Sequence, residues 1–423
     1  MVIRMDDETL YLMNPWWEGN LPDTGIPRPR YIALLQQAEK RRQIEIVLGG
    51  RRVGKTTLVK QYIAACLERG LDAKDLLYMA MDHPRAAGIS ASEILRDFRA
   101  LFGHRRDRKV WLFLDEVQES PGWEAELKAL YDSENLKLVC TGSTSALLAA
   151  QGGKLTGRQL ILTVYPLGFD EYLAFRGEEI SRAEEYRYVA AAEEYLQTGG
   201  YPENVLQPSE TYLAQLLDDV ISRDLIRLQH IRRPEVVRDL MLLLASSVGS
   251  RISYNRLSKS LGISLDTAKD YLSYLKSAYL VETINKWTTS HNERVYAQKK
   301  AYLLDTGMKT VLTGRGDLGA KAENAIFMDF MRRDMRPGYY AEGEGEVDFV
   351  TGKPDRPDVV ESKYHDSFEW EDRRLRGARL FLRRFPGCRN LTIVTRDAAG
   401  KLKIDGTDIA AVPLWKYLLR HED

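Results

Sequence analysis

The chain has 423 residues, of which 44% are hydrophobic and 29% charged, a balance too apolar for a disordered chain and too charged for a membrane protein. At about 150 residues per domain it has room for two or three domains. Its 61 basic and 61 acidic residues cancel, so the whole molecule has no electrostatic preference for polyanions, and any nucleic-acid surface must be local. Cys66, Cys140 and Cys388 lie far apart with no paired spacing, which argues against a disulfide framework and a zinc site. The longest apolar run, Leu240 to Val248, falls well short of the roughly 18 residues a bilayer span needs. The opening MVIRMDDETL places acids where a signal peptide needs apolar residues. A cytoplasmic protein with no membrane partner is the expectation.

In chain order, the first clear element is the β-branched run Ile44 to Leu48, ending at Gly49-Gly50, which reads as a buried strand entering a tight loop. Similar runs recur at Leu76 to Met81, Val110 to Leu114, Leu136 to Cys140 and Leu160 to Val164, with helical patterns between most of them. This alternation predicts an α/β domain over residues 1–165 with a parallel sheet. Gly49-Gly50-Arg51-Arg52-Val53-Gly54-Lys55-Thr56 fits G-x-x-x-x-G-K-[ST] between strand and helix, the context a P-loop requires. Its backbone N–H groups and the helix N-terminus suit phosphates, with Lys55 on the β- and γ-phosphates. Thr57 follows within the same loop-helix junction. Thr56 and Asp115, the latter closing the strand Val110 to Leu114, are the candidate magnesium partners. Glu116 beside Asp115 is the candidate base that polarises water, so ATP hydrolysis is expected over simple binding.

Two further polar elements follow. Leu136 to Cys140 leads into Thr141-Gly142-Ser143-Thr144-Ser145, where the Ser143 hydroxyl reads equally as a γ-phosphate sensor or as the cap of a helix at Ala146 to Ala150. Arg158, in Leu155-Thr156-Gly157-Arg158, is a candidate cation for the transferred phosphoryl group, acting in its own subunit or on a neighbour in a homo-oligomer; a surface arginine looks the same.

After Pro166 the pattern turns helical (Glu184 to Gln197, Tyr212 to Leu228), interrupted by Gly199-Gly200-Tyr201-Pro202, which gives a helical region over 166–235. Ile252 to Ser264 followed by a helix over Leu265 to Ala278 has helix-turn-helix grammar, with Ser264 as cap and Ala268, Tyr271, Leu272 and Leu275 as the buried face. Tyr279 to Ile284 and Arg294 to Leu303 read as the strands of a wing, completing a winged helix over 236–310. Residues 251–300 carry nine basic and four acidic residues, a surplus that makes DNA a candidate partner, whereas Asp266 and Asp270 on the exposed face weaken base reading.

Strand-like runs return in the C-terminal part (Val347 to Val350, Val359 to Lys363, Leu391 to Val394), around a helix near Trp370 to Phe385. Asp348, Glu361 and Lys363 have the D-x(12)-E-x-K spacing of a restriction-endonuclease-like core, with Glu323 on a preceding helix as the fourth polar member. Alternation puts Glu361 and Lys363 on one face. The carboxylates suit magnesium or manganese and the lysine suits water activation, which would make this unit a nuclease; the alternative is a salt-bridged pair of strands that keeps the shape without the chemistry. Arg373, Arg374, Arg376, Arg379, Arg383 and Arg384 crowd one helix, reading as a phosphate track or as a solvated face.

In combination, Gly49 to Thr57, Leu114-Asp115-Glu116-Val117-Gln118, Thr141-Gly142-Ser143, Leu155 to Arg158, Tyr165-Pro166-Leu167-Gly168-Phe169-Asp170-Glu171-Tyr172, Gly199 to Glu203, Ser222-Arg223-Asp224-Leu225 and Leu303-Leu304-Asp305-Thr306-Gly307 resemble the archaeal and bacterial AAA-type ATPases that carry a C-terminal domain of unknown function. The resemblance covers most of the chain. It implies an AAA-type P-loop domain, a winged helix and a nuclease-like C-terminal domain over 311–423. Two functions remain open: an ATP-hydrolysing enzyme that acts on and cuts DNA, or a regulatory ATPase switch that binds a protein or nucleic-acid partner without cutting it.

Overall fold

A computed structural model describes residues 5–21, 24–142, 153, 155–226, 231, 233–343 and 345–420. The chain separates at Tyr165/Pro166 into two compact units, and the expected boundaries near residues 235 and 310 lie inside the second of them.

In the first unit, strands β1 (Ile44–Gly49), β2 (Leu76–Ala80), β3 (Val110–Asp115), β4 (Leu136–Thr141) and β5 (Gln159–Val164) form a parallel sheet in the order β2-β3-β4-β1-β5. Every residue of β1 is buried, as a central strand covered on both faces requires. Helices α1 (Asp7–Met13), α2 (Pro29–Ala38), α3 (Lys55–Glu68), α4 (Ala91–Phe102) and α5 (Trp123–Ser133) accompany it. α4 is delimited by its own sequence: Ser90 and Glu93 make a reciprocal capping box, and Gly103 closes the helix in the left-handed conformation. Register places Leu114 beside Cys140, so Asp115 and Thr141 leave the sheet side by side next to the loop after β1. Parallel strands thus deliver a hydroxyl and a carboxylate to one end of the sheet, where such folds bind ligands.

The second unit begins with α6 (Phe169–Arg176), α7 (Tyr186–Thr198), α8 (Pro202–Leu206) and α9 (Glu210–Asp219), the last running into a π-helical turn over Val220–Ile226 that contains the Ser222–Leu225 motif. There follow α10 (Pro234–Ser246), β6 (Arg251–Ile252), α11 (Tyr254–Leu261), α12 (Leu265–Ser277), β7 (Val281–Ile284), α13 (His291–Tyr296) and β8 (Lys299–Leu303), with an antiparallel sheet ordered β6-β8-β7. The expected strand over Arg294 to Leu303 needs correction: its first part is the helix α13, because Ser290 caps it by accepting from the Glu293 N–H, and only Lys299–Leu303 pairs. α14 (Thr306–Thr313) and α15 (Leu318–Arg332) lead to a six-stranded sheet of β9 (Gly338–Glu342), β10 (Gly345–Lys353), β11 (Arg356–Ser362), β12 (Asn390–Thr395), β13 (Gly400–Ile404) and β14 (Thr407–Pro413), ordered β13-β14-β12-β11-β10-β9. α16 (Arg376–Arg384) packs on β10, Phe381 lying in a core with Val347, Val350 and Leu391, and α17 (Leu414–Leu419) ends the unit.

Three of the motifs quoted above meet in one buried hub of this unit. Gly199 has φ +75° and its Cα faces the Asp305 carboxylate so closely that a Cβ would lie 2.2 Å from Oδ1, which only glycine tolerates. Asp305 accepts from the Gly200 N–H at 2.6 Å and the Met308 N–H at 3.1 Å, while the Leu167 N–H donates to the Gly200 carbonyl at 2.7 Å. Arg332 donates to the Pro166 and Leu167 carbonyls and to the Tyr195 hydroxyl. Burial pushes the Asp305 carboxyl up to about 6 in spite of its N–H donors. A raised acid stabilises the fold below its unfolded value of 3.8 and loses that contribution as pH rises through about 6. Denaturation of the wild type is therefore expected to show stability falling across this window. Asp305→Asn should flatten that slope and cost about 1–3 kcal/mol at acidic pH, because an amide NH₂ cannot accept from two N–H donors; an unchanged slope in Asp305→Asn would assign the pH dependence elsewhere.

Candidate functional site

The loop after β1 is shaped by two glycines. Gly49, at φ +154°, faces the Val164 carbonyl, where a Cβ would come within 2.3 Å, and Gly54, at φ +90°, is the N-cap of α3 and supplies no capping side chain. The first N–H groups of α3 thus remain available to an anion, as the fit of a nucleotide phosphate demands. The buried Lys55 ammonium donates to the Gly49 and Gly50 carbonyls at 3.2 and 3.0 Å, poised at the loop's own centre. Arg51 and Arg52 are exposed, with Arg52 at φ +61°, Val53 is buried against Gly49, and Thr57 faces outward from the first turn of α3.

Asp115 is the centre of the polar cluster beside this loop. Its Oδ2 accepts from the Thr56 hydroxyl at 2.8 Å and the Tyr78 hydroxyl at 2.9 Å, and its Oδ1 accepts from Thr141. Burial, and then the charge of Asp115, push the Tyr78 phenol far up, so it stays a donor. Thr56 and Asp115 are the oxygen pair that fits a magnesium ion. Glu116 sits at φ +50°, a left-handed conformation uncommon for a side-chain-bearing residue; its N–H donates to the Thr141 hydroxyl at 2.9 Å and its carboxylate accepts from Gln118.

The sequence reading missed three members of the site. Thr141 bridges Asp115 and Glu116; the expected Ser143 lies outside the described residues. Tyr78 is the second hydroxyl on Asp115. Arg28, 3% exposed, donates to the Val53 carbonyl at 3.1 Å and the Tyr165 carbonyl at 3.0 Å with its guanidinium over the Tyr31 ring, bracing the loop from behind. Arg158 needs correction. Its carbonyl accepts from the Ile44 N–H at the start of β1, so it lies a full strand, roughly 17 Å, from the loop. Its side chain pairs with Asp132 at 3.1 Å. Arg158 takes no part in its own subunit's nucleotide site.

The four C-terminal candidates do converge. The β10–β11 register sets Asp348 opposite Glu361 on one face, and the Asp348 N–H donates to Glu361 at 3.0 Å. Lys363 reaches Glu361 at 2.6 Å and Asp348 at 3.8 Å. Glu323, from α15, accepts from the Tyr302 hydroxyl at 2.8 Å. Among the described residues, no three His, Cys, Asp or Glu side chains form a group that could hold a metal ion. An ammonium that sequence reasoning counted with a basic surface enters the same cluster. Lys300, 1% exposed in its side chain, lies 3.0 Å from Asp348, 3.0 Å from Glu346 and 3.5 Å from Glu323. Burial opposes its charge, but Asp348, Glu323 and Glu346 together hold its pKa well above the ordinary lysine value. Burial, then the neighbouring Asp348, push Glu323 and Glu361 each up to about 7, whereas Lys300 and Lys363 outweigh burial at Asp348 and keep it low.

Other basic residues of 251–300 are also engaged. Lys269 pairs with Asp266 at 3.0 Å, Lys276 with Glu282 at 2.7 Å, Lys286 with Glu293 at 2.5 Å and Arg251 with Glu346 at 3.4 Å, while Arg256 and Lys259 stand exposed on α11. On α16, Arg379 donates to the Trp370 and Asp372 carbonyls, so this arginine is engaged with backbone. Cys66, Cys140 and Cys388 are free and buried, and among the described residues no helix is long and apolar enough to cross a membrane.

Residues 41–173 match the family model described as AAA domain, and residues 189–319 match a domain of unknown function, DUF8612. Relatives include an uncharacterized protein of Haemophilus influenzae, 26% identical over 78% of this chain and 84% of its own, and an uncharacterized protein of Methanocaldococcus jannaschii, 25% identical over 90% and 89%. Among solved structures, the Walker-type ATPase of Pyrococcus abyssi aligns over 68% of this chain and 96% of its own at 16% identity and a TM-score of 0.43. The loop of Gly49 to Thr56, Asp115 and Glu116 all lie inside the segment that matches the AAA domain model.

Proposed function

We propose that the chain is an ATP-hydrolysing switch whose second unit binds a partner without cutting it. The observation that carries this reading is the Asp115 cluster, in which Thr56, Tyr78 and Thr141 fix one carboxylate beside the loop and Glu116 follows it. Lys55 and the N–H groups of α3 hold the phosphates, and Glu116 accepts the proton of the attacking water. Magnesium held by Thr56 and Asp115 would neutralise phosphate charge when ATP is bound. Phosphate release measured for the wild type and for variants of Lys55 and Glu116 tests this assignment; absence of ATP-dependent phosphate release from the wild type would refute it.

The partner is DNA in the reading that the α11-turn-α12 arrangement supports, since α10 to β8 has the order of a winged helix and Arg256 and Lys259 are exposed. Arg256→Glu with Lys259→Glu is expected to lower affinity for duplex DNA at low salt about tenfold and to reduce the salt slope by about 2. Lys269→Glu with Lys276→Glu should do less, because those ammoniums already pair with Asp266 and Glu282. A wild type that binds no DNA at low salt would leave a protein as the partner.

A further inference from the structure

We propose that the Lys300 ammonium is the resident cation of the acidic pocket in the second unit, standing where a restriction-endonuclease-like core would hold a divalent metal, so that the pocket as folded binds no divalent ion. The pocket collects carboxylates from α15 (Glu323), β10 (Glu346 and Asp348) and β11 (Glu361), and a cluster of this kind is ordinarily neutralised by a cation. Here the charge is supplied from within. Lys300 and Tyr302 alternate on β8, so both side chains leave the same face of that strand and enter the pocket, the hydroxyl reaching Glu323 at 2.8 Å. The ammonium has three donors and three carboxylate neighbours, at 3.0, 3.0 and 3.5 Å. Those spacings suit N–H···O contacts and exceed the roughly 2.0–2.6 Å that magnesium or calcium needs to each oxygen. A metal brought to the same point would meet a positive charge already seated and buried.

Backbone also crowds the pocket at Glu323. Gly249, at φ +74°, approaches Glu323 so nearly that a Cβ would lie 2.6 Å from its carboxylate, and its N–H donates to the Ala301 carbonyl of β8. The strand that carries Lys300 is thereby tied to the segment that covers Glu323. Lys300 also explains why the D-x(12)-E-x-K spacing is kept without a metal cage, since Asp348 serves two ammoniums, Lys300 on Oδ1 and Lys363 on Oδ2.

The test uses the full-length chain without nucleotide and manganese chloride as probe, with bound Mn²⁺ read by electron paramagnetic resonance. Wild type and Glu323→Gln are expected to give the same isotherm. Lys300→Met should gain one Mn²⁺ per chain, bound at least tenfold more tightly than any site of the wild type, and Lys300→Met/Glu323→Gln should lose it. A wild-type site that disappears in Glu323→Gln would overturn the proposal, as would a folded Lys300→Met that gains nothing. Should Lys300→Met not fold by circular dichroism, Lys300→Gln replaces it; should neither fold, the wild-type and Glu323→Gln isotherms decide, equality supporting the proposal and loss of a site refuting it.

Discussion

Glu116→Gln is expected to retain ATP and to lose about two orders of magnitude or more in turnover, whereas Lys55→Ala is expected to lose ATP affinity as well. The two differ because the residues act at different stages. The Lys55 ammonium sits against the Gly49 and Gly50 carbonyls, inside the loop that wraps the phosphates, so its removal strips charge from the bound ground state. Glu116 contributes a carboxylate that can take a proton, and glutamine keeps the shape and the acceptor for Gln118 without that capacity. Its backbone is fixed independently by Thr141, so the substitution leaves the Asp115 cluster in place. Phosphate release under saturating ATP separates the variants from the wild type, and retention of labelled nucleotide separates them from each other. Turnover undiminished in Glu116→Gln would remove this residue from its role.

What the sequence made legible follows from how far apart the interacting groups lie along it. The loop, its lysine and its threonine are contiguous, and strand periodicity alone places Asp115 at the end of β3. The opposition of Asp348 and Glu361 was equally readable, because one hairpin sets it. Arg28 was not: it braces Val53 and Tyr165, 25 and 137 residues away, and nothing local distinguishes it from a surface arginine. Thr141 had a signal that went unused, its position at the end of the strand next to Asp115 in a parallel sheet. Lys300 carried a misleading one. Charge counting placed it with a basic surface, yet its strand partners Ala301 and Tyr302 are buried with it, and alternation with Tyr302 would have sent both side chains inward. A lysine becomes legible as a buried counter-ion only once the acids that receive it are known, and these arrive 23 to 48 residues later in the chain. Arg158 failed for a related reason: it enters β5 beside Ile44, whereas the loop leaves β1 at Gly49 beside Val164, so a full strand separates them.

Asp348→Ala is expected to be among the most damaging single substitutions in the second unit, costing roughly 3–5 kcal/mol, because it leaves buried ammoniums short of their shared carboxylate. Lys300 would retain Glu346 and a long contact to Glu323, and Lys363 would retain Glu361, so the cost lies toward the lower end of that range. Adding Lys300→Met to Asp348→Ala should recover about 1–3 kcal/mol, since the second change removes the cation that the first one stranded. Denaturation followed by tryptophan fluorescence measures the four corners of this cycle, and additivity of the two single effects would sink the pairing. The pH dependence has a defined sign. Asp348 is held below its ordinary value of 3.8 in the folded state, so its contribution is complete above that value and is lost as pH falls through the lower folded one. The difference between wild type and Asp348→Ala should therefore be full at neutral pH and shrink below about pH 3.8. Glu323 and Glu361 work the other way: pushed up to about 7, they favour the folded state while protonated and cease to do so as pH rises through that value. With Lys300 in place the pocket holds four carboxylates against two ammoniums, and protons on Glu323 and Glu361 supply the balance.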